Sequence, residues 1–291
     1  MLCRFVSRLS GGARLAALLS LALHATGALA ADVRLYTLDC GHAEFRDFSV
    51  GSDTGHYDGR PARLADPCFL IRHPQGWMLW DAGMPATLPN AVTGGVEPQH
   101  MLERLGFRIG AGRPLEEQLQ ALGLTPDDIR YVAFSHLHFD HVGNAALFRR
   151  ATWVLQRSEL AWAQASPAPA SVVPELLSTL PSVRQQLIDG DHDVFGDGSV
   201  RILRTPGHTP GSSVLMVSLQ RSGPVLLSGD LYLTLEGRAH RHVPAINADR
   251  AATLASIERM EALARRRKAR VIVQHAPEDY ARLPKPPRYL D

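Results

Sequence analysis

The sequence predicts a layered α/β fold, and three observations carry that expectation. Short apolar runs rich in β-branched residues alternate with helical patterns, no internal repeat period appears, and the chemically richest residues sit at the ends of the apolar runs. The composition is 45% hydrophobic and 21% charged over 291 residues, which is ordinary for a globular protein. A formal charge of +2 gives no support to a nucleic-acid surface or a polybasic membrane patch.

The elements follow in chain order. Arg4, Arg8 and Arg14 precede the short apolar run "LAALLSLAL" and the small-residue site "ALA" at 28–30, so residues 1–30 read as a secretory signal peptide. The run is too short for a membrane span and carries His24 near its end, so no stable membrane insertion is expected after cleavage. Removing three arginines from a formal charge of +2 leaves −1, and residues 31–291 become a periplasmic or secreted domain. Cys40 and Cys68 then remain, and a disulfide or two separate buried thiols fit equally well. "VRLYTLDC" (33–40) reads as a strand, and "CFLIRHPQGWMLWDAG" (68–83) as β structure turning at "HPQG". "PLEEQLQALG" (114–123) has helical spacing, and Thr125 caps the turn that leads into the strand "YVAF". "TWVLQ" (152–156) is another strand. "ASPAPASVVPELLSTLPS" (165–182) reads as a surface excursion. Three strands are expected in "SVRILRTPGH", "SSVLMVSL" and "GPVLLSGD". The longest helix covers 247–267, with Leu254, Ile257, Met260 and Leu263 on one face, and "RVIVQH" closes with a strand.

"SHLHFDHVGN" (135–144) packs His136, His138, Asp140 and His141 into six residues. Imidazoles and carboxylates resist burial unless they are paired or bound to a metal. After a strand, alternation would turn His136, His138 and Asp140 to one side, and that donor set suits zinc or a similar divalent ion. A polar, histidine-rich loop is the plainer alternative. It loses ground because His208 in "TPGHTPG", Asp230 in "LLSGD" and His275 in "VIVQH" also end or follow strands, giving seven donors, enough for two metals. His42, His56, His73, His100 and His192 sit in turn-rich or polar contexts and read as structural or surface residues, while His240 and His242 in "RAHRHVP" read as an exposed basic loop, with the pocket mouth as the alternative. Trp77, Trp153 and Trp162 read as core.

"HLHFDH", "GHTPG", "SGD" and "QH", in this order and spacing, resemble the metallo-β-lactamase superfamily, and "MLWDAG" (78–83) matches a turn common in it. The resemblance spans essentially residues 31–291 and is nearest to the N-acyl homoserine lactonase group. It implies a four-layer αβ/βα sandwich and a dinuclear site, with His136, His138 and His208 on one metal, Asp140, His141 and His275 on the other, and Asp230 between them. It implies two divalent ions, Zn2+ first, and a lactone as the small-molecule substrate. The lactone ring would be opened by a hydroxide bridging the metals, with Asp140 moving the proton. Asp81 would be structural or would back a metal-binding histidine. A homodimer is compatible with the sequence. Thioesterase activity of the glyoxalase II type, β-lactamase activity and non-catalytic zinc binding are the alternatives.

The sequence departs from the lactonase pattern at two places. A tyrosine three residues after the bridging aspartate is Leu233 here, and the tyrosine is Tyr232, which is expected to touch substrate. Ala276 stands where an aspartate often follows the last histidine. Phe45, Phe48 and the 165–182 excursion are the candidate acyl-chain wall.

Overall fold

The apolar runs pair into two sheets in the computed structural model, which describes residues 32–86, 103 and 105–291. The expected signal peptide at 1–30 and His100 lie outside the described residues. The first sheet contains β1 (Arg34–Phe45), β2 (Ala62–His73), β3 (Gly76–Trp80), β4 (Arg108–Gly110), β5 (Ile129–Ala133), β6 (Thr152–Gln156) and β7 (Arg184–Ile188), in the order β4-β1-β2-β3-β5-β6-β7. The second contains β8 (His192–Asp193), β9 (Val200–Arg204), β10 (Ser213–Leu219), β11 (Gly223–Leu227) and β12 (Arg270–Ile272), in the order β12-β11-β10-β9-β8.

Strand alternation explains how the sheets stack. Phe69 and Ile71 of β2 face the second sheet, where they meet Val200, Leu215 and Leu227 in one apolar core. Leu70, one residue out of phase, faces the other way, toward α1 (Leu115–Gln120) and α3 (Arg157–Ala163), through Leu115, Leu119 and Leu160. On the far side, Leu203, Val214 and Leu226 pack against Ile257 and Met260 of α5 (Arg250–Arg267), which follows the short α4 (Leu235–His240). The result is helix, sheet, sheet, helix: the four-layer αβ/βα sandwich.

Differences from the sequence reading have local causes. β1 runs on to Phe45 because its second half pairs with both Ala62–Ala65 and β4, across a bulge between Asp39 and His42. β7 carries only a weak apolar pattern, "RQQLI", and is held in the sheet by parallel pairing with β6. On α5, Ile257 and Met260 are buried as expected, but Leu254 and Leu263 are only partly covered, while Thr253, Ser256 and Ala264 are buried. The first turns of α5 press on the backbone of the "TPGH" loop: Ser256 Oγ donates to Pro206 O at 2.7 Å, and a Cβ on Gly207 would lie 2.3 Å from Thr253 N. Only small side chains fit such an approach. The 165–182 segment is less exposed than its composition suggests. It forms two 3-10 turns, Pro174–Leu177 and Leu180–Ser182, and buries Val172, Val173, Leu177 and Leu180.

Cys40 and Cys68 form a disulfide between β1 and β2, with Cα atoms 5.7 Å apart. Gly83 (φ +64°), at the end of "MLWDAG", lies against it. A Cβ there would come within 2.3 Å of Cys40 Cβ, so the turn that leads toward the site needs glycine.

Candidate metal centre

All seven expected donors lie just beyond strand ends. His136 and His138 follow β5, while Asp140 and His141 lie on the short helix α2 (Phe139–Val142). His208 is in the turn after β9, Asp230 in the 3-10 turn Gly229–Leu231 after β11, and His275 shortly after β12. The expected strand-like alternation holds for His136 and His138 but fails at Asp140. The chain has turned helical there, which moves Asp140 away from the two histidines and toward His275. Two donor groups result: His136, His138, His208 and Asp230 in one, and Asp140, His141 and His275 in the other.

Distances define each group. His136 Nε2 lies 2.9 Å from His138 Nδ1, and His208 Nε2 lies 3.1 Å from the same atom. In the second group, His275 Nε2 is 3.4 Å from His141 Nε2, and Asp140 Oδ1 is 3.8 Å from that nitrogen. Asp230 is shared. Its Oδ2 faces His208 Nε2 at 3.4 Å and His136 Nε2 at 3.9 Å, while its Oδ1 faces His275 Nε2 at 2.8 Å and His141 Nε2 at 3.1 Å. Tetrahedral binding at about 2.0–2.1 Å per nitrogen spaces the donors by roughly 3.3 Å, so both groups fit a divalent ion.

In the first group electrostatics agree with that fit. Burial pushes the pKa of His136 and His138 well below the usual histidine range, and neighbouring imidazoles push the same way. Burial likewise lowers His208. These three are therefore neutral, with lone pairs free for a metal. Burial opposes charge on Asp230, but His275 and His141 outweigh it and hold the carboxyl well below its ordinary range. Burial also opposes charge on His275 and His141, yet Asp230 holds the pKa of His275 at about 9 and Asp140, Asp230 and Asp81 hold His141 well above the usual histidine range, so both rings must give up a proton to take a cation.

Buried partners aim the donors. Asp81 (φ +59°) accepts the Ser135 N–H at 2.6 Å and Gln274 Nε2–H at 2.7 Å, and its Oδ2 is 3.0 Å from His141 Nδ1. His275 Nδ1 donates to Ala65 O at 2.7 Å, so a backbone carbonyl orients this ring although Ala276 follows it. Glu159 of α3 carries no motif and escapes sequence reasoning. It is 2% exposed and accepts Leu137 N–H, Thr209 Oγ1–H and Gly211 N–H, which ties the "HLHFDH" loop to the "GHTPG" loop.

The expectation for Tyr232 is corrected. Its ring is buried with the α5 core, its hydroxyl donates to Glu261 Oε1 at 2.9 Å, and burial together with Glu261 raises its pKa. A residue two places after Asp230 points away from the metal groups, whereas Leu233, three places after, lines the cavity.

That cavity, of about 290 Å³, opens onto the donors Asp140, His138, His208, Asp230 and His275. Phe45, Phe48, Phe107, Phe139 and residues 168–172 form much of its apolar wall. Among the remaining histidines, His73 Nε2 pairs with Asp197 at 2.9 Å and His56 Nε2 with Glu236 at 2.8 Å, both outside the metal groups.

Residues 63–275 match the family described as the metallo-beta-lactamase superfamily. This chain belongs to that superfamily. Within the superfamily it is 32% identical to the N-acyl homoserine lactonase AttM of Azorhizobium caulinodans, over 89% of this chain and 99% of AttM. It is also 32% identical to an N-acyl homoserine lactonase of a Bacillus species, over 83% of this chain and 92% of the relative. A solved N-acyl homoserine lactone hydrolase, with N-hexanoyl-L-homoserine bound at its catalytic metal center, superposes with a TM-score of 0.74 at 29% identity, covering 88% of this chain and 98% of that one. A dizinc quorum-quenching lactonase, AidC, shares the fold at 17% identity with a TM-score of 0.63. Among the described residues, no helix of this superfamily member is long and apolar enough to cross a membrane.

Proposed function

We propose that the protein hydrolyses the lactone ring of N-acyl homoserine lactones, using two divalent ions held by His136, His138, His208, Asp140, His141, His275 and the shared Asp230. The observation that carries this reading is the split of Asp230, one oxygen toward each donor group, at the floor of an apolar cavity. Bound there, two cations would supply Lewis acidity toward the lactone carbonyl and lower the pKa of water toward neutrality. Zinc is the proposed ion, because the donors are imidazoles and carboxylates.

The chain's own residues do the rest. Hydrolysis adds a hydroxyl group to the carbonyl carbon, breaks the bond to the ring oxygen and returns a proton to that oxygen. Asp140 borders the cavity beside the second donor group and is the residue that carries the proton. Asp81 and Ala65 O keep His141 and His275 in fixed orientations, and the aromatic wall takes the acyl chain. Residues 1–30 would direct export, which an Ala31 N-terminus on the mature protein would support.

Metal analysis and turnover on one preparation test the function. The expected result is about two ions per chain and preferential hydrolysis of N-acyl homoserine lactones over a glutathione thioester and a cephalosporin. Full activity with one ion or none rejects the dinuclear site, and preference for either other substrate rejects the lactonase reading.

A further inference from the structure

One carboxyl group in the cavity wall is left over once the metal donors are assigned. Asp66 lies on β2, opposite the bulge in β1 between Asp39 and His42, and it borders the cavity with Asp140 and His275. It is 2% exposed, and neither of its oxygens has a hydrogen-bond partner. Among the described residues, no other buried carboxylate has both oxygens unpartnered. Asp81 and Glu159 show the contrast, since each accepts two or more buried donors. Asp66 is also absent from both groups of converging metal donors. A buried acceptor without a donor forfeits the hydrogen bonds it made in water, so its persistence at a cavity wall points to a donor supplied by the ligand.

The position on β2 indicates which donor. Leu64 packs in the aromatic cluster with Phe48, and Asp66 follows two residues later, roughly 7 Å along the strand. Ala65, between them, holds His275. Asp66 therefore borders the cavity beside Asp140 and His275, two residues from the aromatic wall. In an acylated amino lactone, the amide N–H lies between the acyl chain and the ring carbonyl. Leu233 offers no hydrogen bond to that group, and Tyr232 is turned away.

We propose that Asp66 accepts the amide N–H of the acylamino group on the lactone ring and so selects N-acylated amino lactones over lactones that lack this donor. Carboxyl oxygens accept in either protonation state, so the role needs no particular charge. The proposal rests on the lactonase reading and names the determinant of its substrate class.

The test compares two substrates: an N-acyl homoserine lactone, and its carba analogue, in which a methylene replaces the amide N–H. Each rate is normalised to the substrate's hydroxide-catalysed rate. Wild-type protein is expected to favour the amide by about 3- to 10-fold in kcat/KM, the net range of one hydrogen bond. Asp66→Val keeps the shape without acceptors. It should abolish that preference, chiefly through a higher KM for the amide, change the analogue's kcat/KM by less than about threefold and leave metal content unchanged. Asp66→Asn, with one acceptor oxygen, should keep an intermediate preference. Equal wild-type rates on the two substrates overturn the proposal, even if the valine variant fails to fold. An unchanged preference in Asp66→Val, or equal losses on both substrates, also overturns it. Each of these results leaves the lactonase reading intact, whereas wild-type protein inactive on both lactones removes that reading and this proposal together.

Discussion

Asp140 and His136 stand four residues apart, yet their loss should read differently. His136 is a neutral imidazole whose lone pair points into the first donor group, so His136→Ala is expected to lose metal and activity together. Asp140 borders the cavity and is the proposed proton carrier. Asp140→Asn keeps one oxygen donor but cannot carry a proton, so it should retain most of its metal while turnover falls at least ~100-fold. Metal content and lactone hydrolysis measured on both variants decide this, and near-normal turnover of Asp140→Asn would make Asp140 a ligand only. The seven donors were legible because four of them cluster in "HLHFDH" and the other three, His208, Asp230 and His275, end or follow apolar runs. Tyr232 was misread because spacing alone does not say which way a side chain turns after a 3-10 turn. Asp66 had one trace in the sequence, an acid inside the otherwise apolar "LADPCFLI", and a single buried acid cannot be told from a surface one without its partners.

At the scale of elements, α3 acts as a clamp. Its Glu159 holds two metal-bearing loops whose hydrogen-bonded positions, Leu137 and Thr209, are far apart in the chain. Glu159→Ala would strand three buried donors, so a loss of about 3–5 kcal/mol in stability is expected, with weakened metal retention. Chemical denaturation and metal titration check both, and an unchanged midpoint would show that water replaces the carboxylate. This clamp was invisible in the sequence because its contacts are long-range. The excursion at 168–172 and Phe48 form a second functional element, the cavity wall. Phe48→Ala should raise KM for long-chain lactones by about tenfold, in line with an aromatic side chain losing its buried area, and raise it less for short-chain ones. Equal effects on both chain lengths would assign Phe48 to core packing alone, where its 1% exposure also places it. The long strands and α5 were readable from periodicity. β4, β7 and β8 were not, because pairing partners rather than their own patterns hold them in the sheets.

For the whole molecule, the alternation of apolar runs and helical patterns implied a layered α/β domain and the family resemblance implied its four layers, while the bond between Cys40 and Cys68 was one of two equal readings of the sequence. The pair closes a segment of 28 residues, and the chain-entropy relation gives about 3.5 kcal/mol for such a closure. A Cys40→Ala/Cys68→Ala double variant should therefore melt roughly 7–14 °C lower than the oxidised protein. Calorimetry without reductant reads this, and a Tm within about 2 °C of wild type would show that the unfolded chain is not loosened. The contact between Ala65 O and His275 Nδ1 joins residues 210 positions apart, and His275 is the last donor in the chain. A ribosome must therefore pass residue 275 before the second donor group can exist, and such distant contacts form late in folding. Cation capture becomes a terminal event, coupled to completion of the fold. For a polypeptide threaded unfolded across a membrane, the ion pool on the far side would choose the occupant, and the cytoplasmic supply of zinc, iron or manganese would have no say.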